Sequence, residues 1–255
     1  MPARSPDASV AAVSAAAVSP AAVSATAVPS PAGFRRVAGS ELEWQPSPSP
    51  TVWRKRLFHA GPPEAGIVTS IVRYDAGSQF HEHGHPDGEE ILVLSGTFSD
   101  ERGDFAAGSY MLNPEGFRHA PSSREGCVLF VKLRQYAGLD RERVLLPGVL
   151  HTRESTAEGN WQERGPGVRS LSLYRSERHP EHIRLTTLAP GAEPPAIAMR
   201  EGEEIFVVRG ELVDEQGTHP AHTWLRFPPG ASHTPRSPNG CLLYVCSPAG
   251  SRSAD

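Results

Sequence analysis

Short apolar, β-branched runs alternate along this chain with polar stretches rich in turn residues, and helical apolar periodicity is scarce. Thr69 to Tyr74 is short and β-branched. Ile91 to Leu94 is a continuous apolar run, the pattern of a strand buried on both faces. Ser99 to Asp104, with Gly103, reads as a turn between antiparallel strands. Ser109 to Leu112 and Cys127 to Leu133 are further strands. Several short strands at regular spacing predict an all-β architecture of jelly-roll-like barrels.

The pattern occurs twice. Residues 88–131 align without a gap on residues 202–245, an offset of 114. "GEEILVLSG" in the first copy meets "GEEIFVVRG" in the second. Asp100, Glu101 and Gly103 fall on Asp214, Glu215 and Gly217; Pro114, Gly116 and His119 fall on Pro228, Gly230 and His233. Two copies at this period indicate two similar domains rather than a solenoid. The expected division is a first barrel over 34–137, a charged connector with Pro147 and Gly148 over 138–160, and a second barrel over 161–250. Trp44 and Trp161 mark comparable entry points and are read as packing anchors.

Composition narrows the function classes. Within 255 residues, 24 Gly and 25 Pro favour strands and turns over a helical bundle. A net charge of -4 provides no basic footprint for nucleic acid or an anionic membrane. No apolar run is long enough to span a bilayer. Three sparsely placed cysteines, Cys127, Cys241 and Cys246, suit a cytoplasmic protein better than a disulfide scaffold. Residues 1–33 are rich in Ala, Val, Ser and Pro and are read as a disordered tail. A secretory signal is the lesser reading, because Asp7 and Pro20 interrupt a stretch without Leu, Ile or Phe.

The chemistry is concentrated in Gly77 to Gly96 and in Gly108 to His119. His83 and His85 are two apart, so on a strand both imidazoles point to one face. Glu89 opens the next strand after a "PDG" turn. Pro114 and Gly116 are turn residues placed to aim His119 inward. Three imidazoles and a carboxylate suit one divalent transition ion, Zn²⁺ or Fe²⁺, with Mn²⁺ and Ni²⁺ also compatible. Ca²⁺ and Mg²⁺ prefer oxygen shells. In the second copy His83 and His85 become Ile197 and Met199, while Glu89 and His119 persist as Glu203 and His233. That barrel is expected to be metal-free. Its apolar replacements would fill the vacated space, with His233 hydrogen-bonded to Glu203. Glu90, facing the other way from Glu89, is read as a surface or salt-bridge residue. His81 is read as a loop or supporting residue, and Cys127 as a small buried hydrophobe rather than a redox sensor.

Gly77-x5-His83-x-His85-x3-Glu89-x6-Gly96 resembles the first cupin motif at every defined position. Gly108-x5-Pro114-x-Gly116-x2-His119 resembles the second, except that Ser123 stands where the family usually has Asn. Over roughly residues 44–135 the chain looks most like the ChrR-like cupins, carried by "HPDGEEILVLSGTFSDERGDFAAGSYMLNPEGFRHAPSS" and "GCVLFVKLRQ". The resemblance implies two tandem cupin barrels and zinc or iron held by His83, His85, Glu89 and His119. It also implies one of two functions. The first is a sensory or regulatory module in oxidative stress, with an oxidant or small molecule as signal and a regulatory protein as partner. The alternative is an iron dioxygenase cleaving a β-diketone or hydroxyacetophenone, with Glu89 as ligand or catalytic base. Residues 1–33 contain no His or Cys, so they are not read as the helical zinc domain of the anti-sigma members. Pairing of sheet edges makes a homodimer a reasonable expectation.

Overall fold

The computed structural model describes residues 32–62, 64–150, 160–179 and 181–247. The expected tail and part of the expected connector therefore lie largely outside the described residues. Among those described there is no α-helix, and none long and apolar enough to cross a membrane. The chain forms two sheet systems, each with a small two-stranded ribbon.

In the first sheet the order is Val144–Leu146, Tyr110–Asn113, Glu89–Asp100, Cys127–Leu133, Ile67–Tyr74, Val52–Ala60 and Gln45–Pro46. In the second it is Arg35–Ala38, Thr223–Phe227, Glu203–Asp214, Cys241–Ser247, His182–Leu188, Val168–Arg175 and Gln162–Gly165. The long strands Glu89–Asp100 and Glu203–Asp214 each run on past the main sheet into a hairpin, with Gly103–Ala106 and Gly217–Pro220. The repeat thus holds for the main strands, while the short pair Ser78–Gln79 and Ser122–Ser123 is reduced in the second copy to a bridge between Ala192 and Ser237. It holds at the backbone too: a Cβ on Gly96 would stand 2.1 Å from the Gly126 carbonyl oxygen, and one on Gly210 2.1 Å from that of Gly240. Both have positive φ, so glycine is needed at both places.

Two short strands depart from the expected division. Arg35–Ala38, expected in the first barrel, pairs with Thr223–Phe227 in the second sheet. Val144–Leu146, expected in the connector, pairs with Tyr110–Asn113 in the first. Each barrel's edge is covered by the segment that precedes the other barrel. An exposed edge gains backbone hydrogen bonds this way, and strands of three or four residues carry too little periodicity to be read in advance.

Alternation explains the continuous apolar runs. Ile91 and Val93 face the interior of the first barrel, while Leu92 faces a core shared with the second. Ile205 and Val207 face the second interior, while Phe206 and Val208 face the shared core. Across it Phe130 stacks on Phe206 with ring centroids 4.2 Å apart, and Phe58 stacks on Trp224.

Glu90 has the parity of Leu92, so it enters this shared core. It is 1% exposed, not the surface residue expected from sequence. Tyr136 Oη and Tyr244 Oη both donate to its Oε2, the latter at 2.8 Å from the second barrel. Lys132 Nζ, equally buried, donates to Glu204 Oε2 of the second barrel at 2.9 Å. Burial pushes the Glu90 carboxyl up, opposed by Lys132 and the tyrosine hydroxyls. The apolar seam is therefore tied by a polar network whose members come from both halves.

Breaking a buried ion pair strands its partner, whereas replacing a buried acid by its amide keeps an acceptor for the tyrosines. Lys132→Met should lower the unfolding free energy by about 3–5 kcal/mol, and Glu90→Gln by no more than about 1 kcal/mol. Equal losses in urea unfolding would show that the Glu90 charge itself supports the interface.

Candidate metal centre

All three histidines sit on one ribbon. His83–His85 pairs antiparallel with Phe117–His119, and His119 lies directly opposite His83. His83 and His85 share a face through the two-residue period of a strand. The ribbon is closed by turns around Asp87-Gly88 and Gly116, where Gly116 N–H donates to the His85 carbonyl at 3.0 Å. The Glu101 carboxylate accepts from Ala120 N–H at 3.1 Å, clamping the chain immediately after His119. The repeat reproduces this clamp with Glu215 and Thr234.

One nitrogen from each of His83, His85 and His119 falls within a group spanning 4.8 Å. His85 Nε2 and His119 Nε2 are 2.9 Å apart. Two nitrogens bound at about 2.1 Å on adjacent positions of one ion stand about 3 Å apart, so the spacing fits shared ligation. His83 Nδ1 is 2.8 Å from the His81 carbonyl. A carbonyl only accepts, so the ring proton sits on Nδ1 and Nε2 is left as the donor to a metal. His81 is itself exposed and contributes only this backbone oxygen. Burial, aided by His83 and Arg134, holds the His85 imidazole down at about 3, and burial also lowers His119. Both rings are thus kept in the neutral form that ligates.

Glu89 completes the floor. Its Oε2 stands 3.5 Å from His85 Nε2 and 3.6 Å from His119 Nε2, and accepts from Asn113 Nδ2 at 3.1 Å. Burial pushes its carboxyl up, opposed by His119, Asn113 and His83. Among the described residues no Lys or Arg pairs with it. Behind His119, Asp100 Oδ2 lies 3.5 Å from the ring Nδ1, which is buried and has no hydrogen bond. Above the imidazoles opens a cavity of about 240 Å³, walled by apolar residues including Ile91, Phe98, Leu129 and Val131.

The second barrel treats its surviving carboxylate differently. The Glu203–His233 pair expected from sequence does not form: Glu203 accepts from Arg184 Nη2 and from Ser247 Oγ at 2.7 Å. Arg184 occupies the repeat position of Ser70. A guanidinium therefore takes up the negative charge, and not the apolar replacements alone: Met199 is buried, but Ile197 is 40% exposed at the rim. His233 Nδ1 lies 3.1 Å from Asp214 Oδ2, and His219 Nε2 2.8 Å from Asp214 Oδ1. Asp214 is the counterpart of Asp100. In each copy this carboxylate also accepts a backbone N–H two residues on, from Arg102 and Gln216.

The residues singled out from sequence for a metal are thus gathered at one place, with Glu89 close to two of the three imidazoles. Sequence reasoning missed Asp100, Asn113 and Arg184. The Asp100–Asp214 match in the repeat was the available signal for the first. Ser123 holds its turn by donating to the Thr97 carbonyl at 2.6 Å, as Ser237 does to that of Glu211. Burial pushes the Cys127 thiol up to about 11, leaving it unreactive.

Comparison with known proteins agrees with this fold. A profile of the ChrR cupin-like domain matches residues 34–137 and 151–249. No curated protein sequence matches the chain. Among solved structures, the fold is similar to a candidate dioxygenase from Nostoc punctiforme, with TM-score 0.68 and 12% identity over 87% of this chain and 85% of that one. It is also similar to the pirin YhhW of Escherichia coli, solved with nickel(II), with TM-score 0.63 and 14% identity over 85% and 99%. A Bacillus subtilis oxalate decarboxylase variant gives TM-score 0.57 and 12% identity over 84% and 77%. At these identities the likeness concerns the fold.

The Asp214 cluster makes a pH-dependent contribution to stability. Burial alone would raise its carboxyl, but hydrogen bonds from His219 and His233 outweigh that and hold it well below the usual carboxylate range. A depressed folded-state value means stability is present in full above the unfolded value of about 3.9 and is lost as pH falls through the folded one. Asp214→Asn should cost about 2–3 kcal/mol at neutral pH. In urea unfolding its gap from wild type should narrow below about pH 4; a constant gap would mean that shape, not charge, is what Asp214 supplies.

Proposed function

The chain belongs to the ChrR cupin-like family, and from that premise we propose that its first barrel is a metal-dependent site acting on a small organic molecule, of the dioxygenase kind. One observation carries the reading: three imidazoles and a buried carboxylate that no Lys or Arg among the described residues pairs with form the floor of an apolar cavity open to a ligand. A buried carboxylate without a cation is costly. The second barrel meets that demand with Arg184, and the first has no such side chain.

His83, His85 and His119 would hold the ion, with Glu89 as fourth ligand or as the base taking the acidic proton of an enolisable ketone. A divalent transition ion supplies Lewis-acid polarisation and, as iron, redox chemistry towards O₂. Asp100 orients the His119 ring from behind, and Asn113 orients Glu89. The apolar walls exclude water and favour the body of an organic substrate.

A sensory reading is favoured by a different observation. Glu89 and Glu90 are neighbours on one strand. The first faces the imidazoles and the second accepts a hydrogen bond from Tyr244 of the other barrel. A change in ligation at Glu89 then has a two-residue route to the interface, the kind of coupled element a regulatory module needs.

Elemental mass spectrometry of protein purified without oxygen or added metal tests both readings. About one divalent transition ion per chain is expected, retained by wild type and lost from His83→Ala. Iron, with O₂ consumption on a panel of β-diketones and hydroxyaryl ketones, supports the dioxygenase. Zinc without turnover, and a protease sensitivity that changes with chelation, supports the sensor. Metal-free protein in both samples overturns the assignment of the site.

A further inference from the structure

The cavity of the first barrel has three arginines at its more exposed end. Arg54, Arg56 and Arg134 all line it, together with Glu64. Arg54 Nη1 donates to Glu64 Oε2 at 2.9 Å, Arg54 Nη2 donates to Oε1, and Arg56 Nη2 reaches the same oxygen at 2.9 Å. Arg134 Nη2 donates only to the Glu64 backbone carbonyl, at 3.3 Å, and forms no ion pair among the described residues. Two guanidinium groups thus share the Glu64 carboxylate, while the third, on Arg134, has only a backbone acceptor. The cluster is built rather than loosely solvated: the Arg54 and Arg56 side chains are 20% and 27% exposed, and Arg54 Nε is buried without an acceptor.

The backbone is committed to this arrangement. Glu64 and Arg134 have φ of 61° and 60°, a region disfavoured for residues with a side chain. Arg134 is pinned there by its N–H, which donates to the Gly88 carbonyl at 3.1 Å, next to Glu89.

The second barrel lacks this collar. Arg54 and Arg56 pair across the sheet with Val72 and Ser70; at the matching places Ser170 and Ser172 pair with Thr186 and Arg184. At these places the first copy has two arginines and a serine, and the second has two serines and an arginine, the last bound to Glu203. Arg134, with no carboxylate partner among the described residues, remains available to an anion entering the cavity, and the planar fork of a guanidinium matches a carboxylate. Arg54 and Arg56, held on Glu64, line the same cavity and add positive charge.

Resting on the reading of this barrel as a small-molecule site, we propose that its ligand is a carboxylate-bearing molecule with an apolar body, the carboxylate held by Arg134 with Arg54 and Arg56 and the body lying in the cavity above the imidazoles. The arginines act as binding and specificity groups. They take no part in holding the ion.

Titration calorimetry on the full chain, with its native metal, tests this with two probes of similar body: phenylpyruvate, an enolisable oxo acid, and 1-phenylpropan-2-one, the corresponding uncharged ketone. The acid should bind at least about tenfold more tightly than the ketone, and Arg134→Gln should weaken the acid about tenfold while leaving the ketone unchanged. Arg56→Gln should act in the same direction, and both variants should keep the wild-type metal content. Equal affinity for the two probes, with neither variant discriminating between them, overturns the collar but leaves the small-molecule site standing. Absence of binding by either probe to metal-replete protein overturns both. Loss of metal from Arg134→Gln would show that the arginine supports the centre and does not select the ligand.

Discussion

A carboxylate removed from water has to be met by positive charge or by a proton, and this fold buries two of them side by side. Glu89 and Glu90 open a strand with both faces covered, so alternation sends one into the barrel and the other into the seam between barrels. Each then needs its own compensation in a low-dielectric setting. Glu90 has Tyr136, Tyr244 and the charge of Lys132. Glu89 has Asn113 and the nearby imidazoles of His85 and His119, with no Lys or Arg paired to it among the described residues. A site of that composition suits a divalent ion.

The two copies show what happens to the same fold when that requirement is met differently. The second keeps the glutamate, the second-motif histidine and the hairpin aspartate, but loses the His-x-His pair. A single change at the position of Ser70, to Arg184, supplies a permanent cation and ties the glutamate to the neighbouring strand. The histidine, no longer needed beside the glutamate, is held by Asp214 with His219. In one copy the glutamate is thereby paired with a guanidinium, while the other retains an open, polar floor under an apolar cavity.

The halves are not independent bodies. Arg35–Ala38 and Val144–Leu146 each cross to the other sheet, and Phe130 stacks on Phe206 between the barrels. The second copy thus covers a face that would otherwise expose Leu92 and Phe130, and its Tyr244 contacts the residue next to Glu89. The second barrel supports the first through packing and one polar network, whatever chemistry the first performs.

Sequence by itself determined the strands, the doubling of the fold and the histidine group, because these depend on local facts. Period-two alternation puts His83 and His85 on one face, and turn residues bracket His119. It also showed that the second copy lacks the His-x-His pair. Tertiary structure alone decided the rest. Alternation says that Glu90 points away from Glu89, but not that another barrel waits there. Repeat alignment pairs Asp100 with Asp214, but only the folded hairpin sets each behind its histidine. Arg184 on one strand and Glu203 on another are far apart in any local reading, and so are Arg54, Glu64 and Arg134. Backbone periodicity is written in neighbours along the chain. Charge compensation in a buried site depends on distance through space, which the sheet's register sets and the sequence does not display.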